Sequence, residues 1–212
     1  MLIGIFLLPV CVGACTALWR VVRATGSADT IWVALVGGAA CWWAVYLMLP
    51  KPMRVYVFGH ELTHAVWTWL FGGSVRRFKV TSNGGHIVVT KTNFLIALAP
   101  YFFPIYAMAV VLVFCVGHAL WNWSAYTVWF HLLLGAAYAF HLTLTCYILR
   151  IEQTDITGQG YLFSAVIIFL GNIGFLLLGI PLLTSRVGVV KSLTWWLQDT
   201  GAILAWLQAL VR

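Results

Sequence analysis

The chain has 212 residues, of which 63% are hydrophobic and 8% charged, with a mean hydropathy of +0.97. Soluble domains are about 45–50% apolar and about 25% charged, so this composition excludes a water-soluble globular enzyme and predicts an integral membrane protein. The formal charge of +7 comes from twelve Lys and Arg set singly or in pairs between apolar runs, a pattern for loops at anionic lipid and not for nucleic-acid binding.

About 20 apolar residues cross a bilayer. Runs of that order fall near 1–19, 30–49, 55–71, 94–119, 125–149 and 160–184, so six transmembrane helices are expected. The first begins MLIGIFLLPVCVGAC, without a basic leading region or an A-x-A site, and reads as a retained span rather than a cleaved signal. Cys11, Cys15, Cys41, Cys115 and Cys146 all lie inside apolar runs. Their odd number and the lack of a CxxC pair argue against a disulfide framework, and buried free thiols are expected.

The third run is the shortest and has a polar centre, VFGHELTHAVWTWLFGG at 57–73. Gly72 and Gly73 end it, as glycine commonly does just past a helix. The next segment, SVRRFKVTSNGGHIVVTK, sets an Asn-Gly pair between two β-branched runs and predicts a hairpin with strands at 75–80 and 86–90. Such a hairpin belongs at the interface or among helices, because an open strand edge finds no hydrogen-bond partners in lipid. The last segment, SLTWWLQDTGAILAWLQALVR, is apolar but punctuated by Gln198, Asp199, Gln208 and Arg212, which suits an interfacial amphipathic helix over 189–212. The expected fold is an all-α polytopic membrane protein in one domain, with a core over about 55–184 and a membrane-associated hairpin at 74–91.

His60 and His64 are four residues apart and so differ by only about 40° in azimuth on a helix. Both imidazoles can point at one metal ion, and Glu61 beside them can reach a water there. This is the H-E-x-x-H arrangement of two zinc ligands and a general base. With six His and five acidic residues in 212 positions, the pattern arises by chance about 0.004 times. Ionisable groups in an apolar run cost about 2.5 kcal/mol or more each, which further favours a functional site over a stray cluster.

Catalytic zinc normally has three protein ligands and an open position. Asp155, in RIEQTDITGQGYLF, is a carboxylate just before an apolar span, and Gly158 and Gly160 loosen the backbone near it. The other third-ligand candidates are Glu152, His86 on the hairpin, and His118, His131 and His141 in the later runs. Thr63, Asn93 and Asn172 are polar residues that could line an enclosed cavity, or could simply pack between helices.

GHELTH inside a transmembrane run, followed by FGGSVRRFKV…GGHIVV and a distant Asp-containing loop, resembles the site-2 protease family of intramembrane zinc metalloproteases. The resemblance covers about residues 55–175. It implies one Zn²⁺ held within the membrane by His60, His64 and Asp155, with Glu61 activating the water that hydrolyses a peptide bond. It also implies that the glycine-bearing strand, here Gly84, Gly85, His86 and Ile87, pairs with an unwound substrate strand. Apart from the resemblance, His141 and Asn172 are candidates for side chains that stand behind the ligands. The family's usual Asp-Gly dipeptide is replaced here by TDITG. The implied setting is a multi-pass protein of a bacterial cytoplasmic membrane, the implied partner a membrane-protein substrate helix, and the implied process regulated intramembrane proteolysis. Two other readings stay open: a non-proteolytic zinc-binding adaptor, against which an intact Glu61 argues, and a metal or proton transporter, which would spread ionisable groups along several helices.

Overall fold

A computed structural model describes residues 2–81 and 84–211. Ser82 and Asn83, on which the Asn-Gly turn signal rests, lie outside the described residues. In chain order the elements are α1 (Leu2–Phe6), α2 (Leu8–Thr25), α3 (Asp29–Met48), α4 (Met53–Leu70), β1 (Val75–Thr81), β2 (Gly84–Val89), α5 (Phe94–Phe102), α6 (Ile105–Trp121), α7 (Thr127–Ile148), α8 (Thr154–Thr157), α9 (Tyr161–Thr184) and α10 (Val189–Val211). A short 3-10 turn, Trp123–Tyr126, leads into α7.

The protein is membrane-embedded, helical and apolar as expected, but with fewer spans than six. Among the described residues four helices are long and apolar enough to cross a bilayer, or five if the bent pair α5–α6 is one span. Two physical causes account for the difference. The His and Glu residues of α4, with Arg54 in its first turn, make that 18-residue helix too polar to qualify. The 94–119 run is broken at Phe103–Pro104, where the chain bends by 75°, since Pro104 cannot donate its backbone nitrogen to a continuing helix. The cysteines also differ from expectation. All five are free, yet Cys11 is only half-buried and the other four are exposed on apolar helices. A thiol is apolar enough to face acyl chains without being packed inside.

The chain forms two compact units, one of Thr30–Asp155 and one that joins the chain up to Asp29 with the chain from Ile156 onward. In the Thr30–Asp155 unit, α4 packs against α5, α6 and both strands. Helices α3 and α7 cross at two glycines. A β-carbon on Gly38 would lie 1.8 Å from the Leu132 carbonyl oxygen, and one on Gly135 would lie 2.0 Å from that of Leu35. Small residues that let backbones approach are how helices associate where water supplies no driving force. Trp42 donates its indole N–H to Thr143 across the same pair of helices at 2.7 Å. Tyr56, Val57 and Leu144 form a buried core between α4 and α7.

The hairpin is antiparallel, with Val75 opposite Val89, a bulge after it, and Phe78, Lys79 and Val80 opposite Ile87, His86 and Gly85. Phe78 of β1 meets Phe58 of α4 edge-on with centroids 5.9 Å apart, which docks the hairpin on the helix. Gly72, one residue beyond the Phe71 cap of α4, takes φ +70°, so the helix ends where the sequence places its glycines.

In the other unit, α10 packs on α2 and α9, and α9 packs on α1 and α2. Three polar side chains of α10 serve this packing. Asp199 pairs with Arg20 at 2.7 Å, Ser192 donates to the Leu177 carbonyl at 2.8 Å, and the Trp196 indole donates to that of Val10 at 3.1 Å.

Candidate metal centre

Helix α4 carries the motif. Its 3.6-residue period puts His60 and His64 on one face, with ring centroids 5.0 Å apart. Seven residues after α7 ends, the short helix α8 brings in Asp155. The Oδ2 oxygen of Asp155 lies 3.5 Å from His60 Nε2 and 3.5 Å from His64 Nε2. The three residues could hold a metal ion, their ligand atoms all lying within 4.8 Å of one another. Among the described residues no other group of His, Cys, Asp or Glu does so.

The spacing bears on the fit. A charged N–H···O bond has a length of about 2.7–2.9 Å, so 3.5 Å is too long for direct His–Asp bonding. Zinc bonds of about 2.0–2.2 Å at tetrahedral angles separate ligand atoms by about 3.3–3.6 Å. Both nitrogen–oxygen distances therefore match an edge of such a tetrahedron.

Groups behind the ligands set their chemistry. His64 Nδ1 is 2.8 Å from the Ile96 carbonyl, so Nδ1 carries a proton and Nε2 is the nitrogen left to bind a metal. Asn93 accepts the Ile96 N–H at 2.8 Å and caps α5. It therefore holds the segment that positions His64, instead of lining a cavity as a polar residue in that run suggested. The Tyr101 hydroxyl, on a side chain with 0% exposure, donates to Asp155 Oδ2 at 3.1 Å, and its ring stands edge-on to His60 at 5.2 Å. Burial alone would raise the Asp155 carboxyl. The two imidazoles, when protonated, outweigh that and hold it below the ordinary carboxylate range.

Glu61 is 7% exposed, and its carboxyl lies against β2. A β-carbon on Gly85 would sit 2.3 Å from Glu61 Oε1, so only glycine lets the strand run this close to the side chain. Gly84, His86 and Ile87 lie on the same strand, with His86 exposed. Thr63 is buried one turn from Gly59, to whose carbonyl its hydroxyl donates at 2.7 Å. His141, buried in α7, shares a small cavity with His60 and Thr63.

None of the remaining candidates belongs to the ligand group. His118 is exposed near the end of α6 against Phe114, His131 is buried beside Phe130, and Glu152 is exposed. Asn172 lies in the other unit, where its side chain donates to the Ile168 carbonyl one turn back at 2.9 Å. Tyr101 has no local sequence signal of its own. A tyrosine inside the apolar run ALAPYFF is conspicuous only in that its hydroxyl must find a buried partner.

Comparison with protein-family models, with curated proteins and with solved structures returns no match.

Proposed function

We propose that this chain is an intramembrane zinc metallopeptidase of the site-2 protease kind, residing in a bacterial cytoplasmic membrane and hydrolysing peptide bonds in or near transmembrane segments of other proteins. The observation that carries the reading is the equal 3.5 Å spacing of Asp155 Oδ2 from two imidazole nitrogens, on a motif that also supplies Glu61. His60, His64 and Asp155 would hold the ion. Bound zinc supplies Lewis acidity, polarising a carbonyl and lowering the pKa of water toward about 7.

The chain's own residues do the rest. Glu61 is the general base: its carboxylate takes a proton from the attacking water as the new C–O bond forms. The same carboxyl then hands that proton to the amide nitrogen as the C–N bond breaks, so the proton balance closes on one residue. Strand β2, whose Gly85 touches Glu61, offers backbone N–H and C=O groups to an unwound substrate segment beside the base. That contact answers the main difficulty of the setting, since a peptide backbone exposed in the bilayer has no other hydrogen-bond partners.

The test is zinc content per chain in detergent-purified protein, followed by cleavage of a quenched-fluorescent transmembrane peptide in liposomes. The wild type should carry one zinc, lost in His64→Ala and in Asp155→Ala. Glu61→Gln should keep the zinc but lose about 10²–10⁴-fold in turnover, the usual worth of a general base. A wild type without zinc after metal-replete purification would sink the metallopeptidase. Zinc with no cleavage of any peptide in a panel would favour the adaptor.

A further inference from the structure

The two histidines of the motif are held unequally. His64 Nδ1 meets the Ile96 carbonyl, whereas His60 Nδ1 is buried with no hydrogen-bonding protein atom. A buried polar atom left in that state is costly, and a ligand ring with no partner on its far nitrogen is fixed neither in tautomer nor in tilt.

Beside His60 lies a cavity of about 10 Å³, bounded among others by Tyr56 and Thr63 of α4, Tyr106 of α6 and His141 of α7. That is about the volume one water centre needs, and a buried water needs two to four polar partners. The lining can supply them. The Thr63 hydroxyl gives its proton to the Gly59 carbonyl and the Tyr106 hydroxyl gives its own to that of Val55, so both oxygens keep lone pairs to accept. The His141 ring, 5% exposed, borders the same space.

We propose that this cavity is a one-water site that couples His141 to His60, and that His141 is a positioning residue for the metal centre. The water accepts the His60 Nδ1–H and hydrogen-bonds onward to the His141 ring, with the two hydroxyl oxygens as its further partners. His60 is thereby fixed with Nε2 left to bind a metal, as the Ile96 carbonyl fixes His64. His141 touches neither the ion nor a substrate. The inference rests on the metal-centre reading.

The experiment compares zinc affinity, by competition with a chromophoric chelator, and the visible spectrum of the cobalt-substituted protein. The chains are wild type, His141→Leu, His141→Gln and His131→Leu, the last removing a buried histidine of α7 that does not border the cavity. His141→Leu should weaken zinc binding about 10–100-fold and shift the cobalt bands. His141→Gln should recover part of the loss, and His131→Leu should match the wild type. The zinc-loaded wild type should also show a magnetisation-transfer peak from water to the His60 Nδ1–H, a reading that needs no variant to fold. Unchanged affinity and spectrum in His141→Leu, or absence of the water peak, overturns the water link while leaving the metal centre standing. A wild type that binds neither metal overturns the metal centre itself.

Discussion

At the scale of single residues, the centre depends on how Asp155 is held. Its Oδ2 takes the Tyr101 hydroxyl at 3.1 Å on the same oxygen that faces both imidazoles. Tyr101→Phe keeps the ring against His60 and removes the hydroxyl that donates to Asp155. Zinc affinity should therefore fall about 10–100-fold, the usual effect of losing a partner behind a ligand, with the melting temperature little changed. Equal affinity in both proteins would mean that the hydroxyl does not orient the carboxylate. Much of this site was legible in the chain. His60, Glu61 and His64 are readable because a helix turns a four-residue spacing into one face, and Asp155 because few carboxylates exist to choose from. Tyr101 and Asn93 were not readable in their roles. The partner of Tyr101 is 54 residues away, and Asn93 works through a cap on a helix whose start only the fold defines.

At the scale of elements, two close approaches carry the arrangement. The α3–α7 crossing leaves no room for a β-carbon at Gly38 or Gly135, and its close contacts are to backbone carbonyls that cannot rotate away. Gly38→Val should cost about 1–3 kcal/mol or more, as overpacking does, seen as a lower melting temperature in detergent. Unaltered melting would show that the helices can part there without loss. The second approach is Gly85 on Glu61. Gly85→Val drives a side chain into the carboxyl, so turnover should drop with zinc content unchanged, because the atoms nearest a β-carbon there all belong to Glu61, which is not one of the three ligands. Loss of zinc together with activity would place the damage in the helix rather than at the base. Hairpin and helices were legible from turn chemistry and apolar run length. The number of spans was not, because counting by run length ignores what the polar face of α4 does to its apolarity and what Pro104 does to the fourth run.

At the scale of the whole molecule, the surface says what surrounds it. Large apolar side chains such as Val33 at 72% and Leu47 at 73% exposure stand open on helices of spanning length. In water such a surface would drive aggregation, whereas in a bilayer acyl chains cover it at no cost. The cysteines make this testable. Cys15 and Cys41 are exposed and fall near the middle of α2 and α3. A thiol reacts as its thiolate, which needs water to form, so a thiol facing acyl chains is silent toward a charged, water-soluble reagent although nothing in the protein hides it. In intact membranes a sulfonated maleimide should leave Cys15 and Cys41 unmodified, while denaturation in SDS should expose both to full labelling. Rapid labelling of either cysteine in intact membranes would put that helix face in water and remove it from the membrane-facing surface. The site inherits the same setting. His60, Glu61 and His64 sit mid-helix on α4, in a unit with large apolar side chains on its surface, so what makes them tolerable must lie inside that unit, and the carboxylate, carbonyl and hydroxyl groups gathered around His60 and His64 are there to do it.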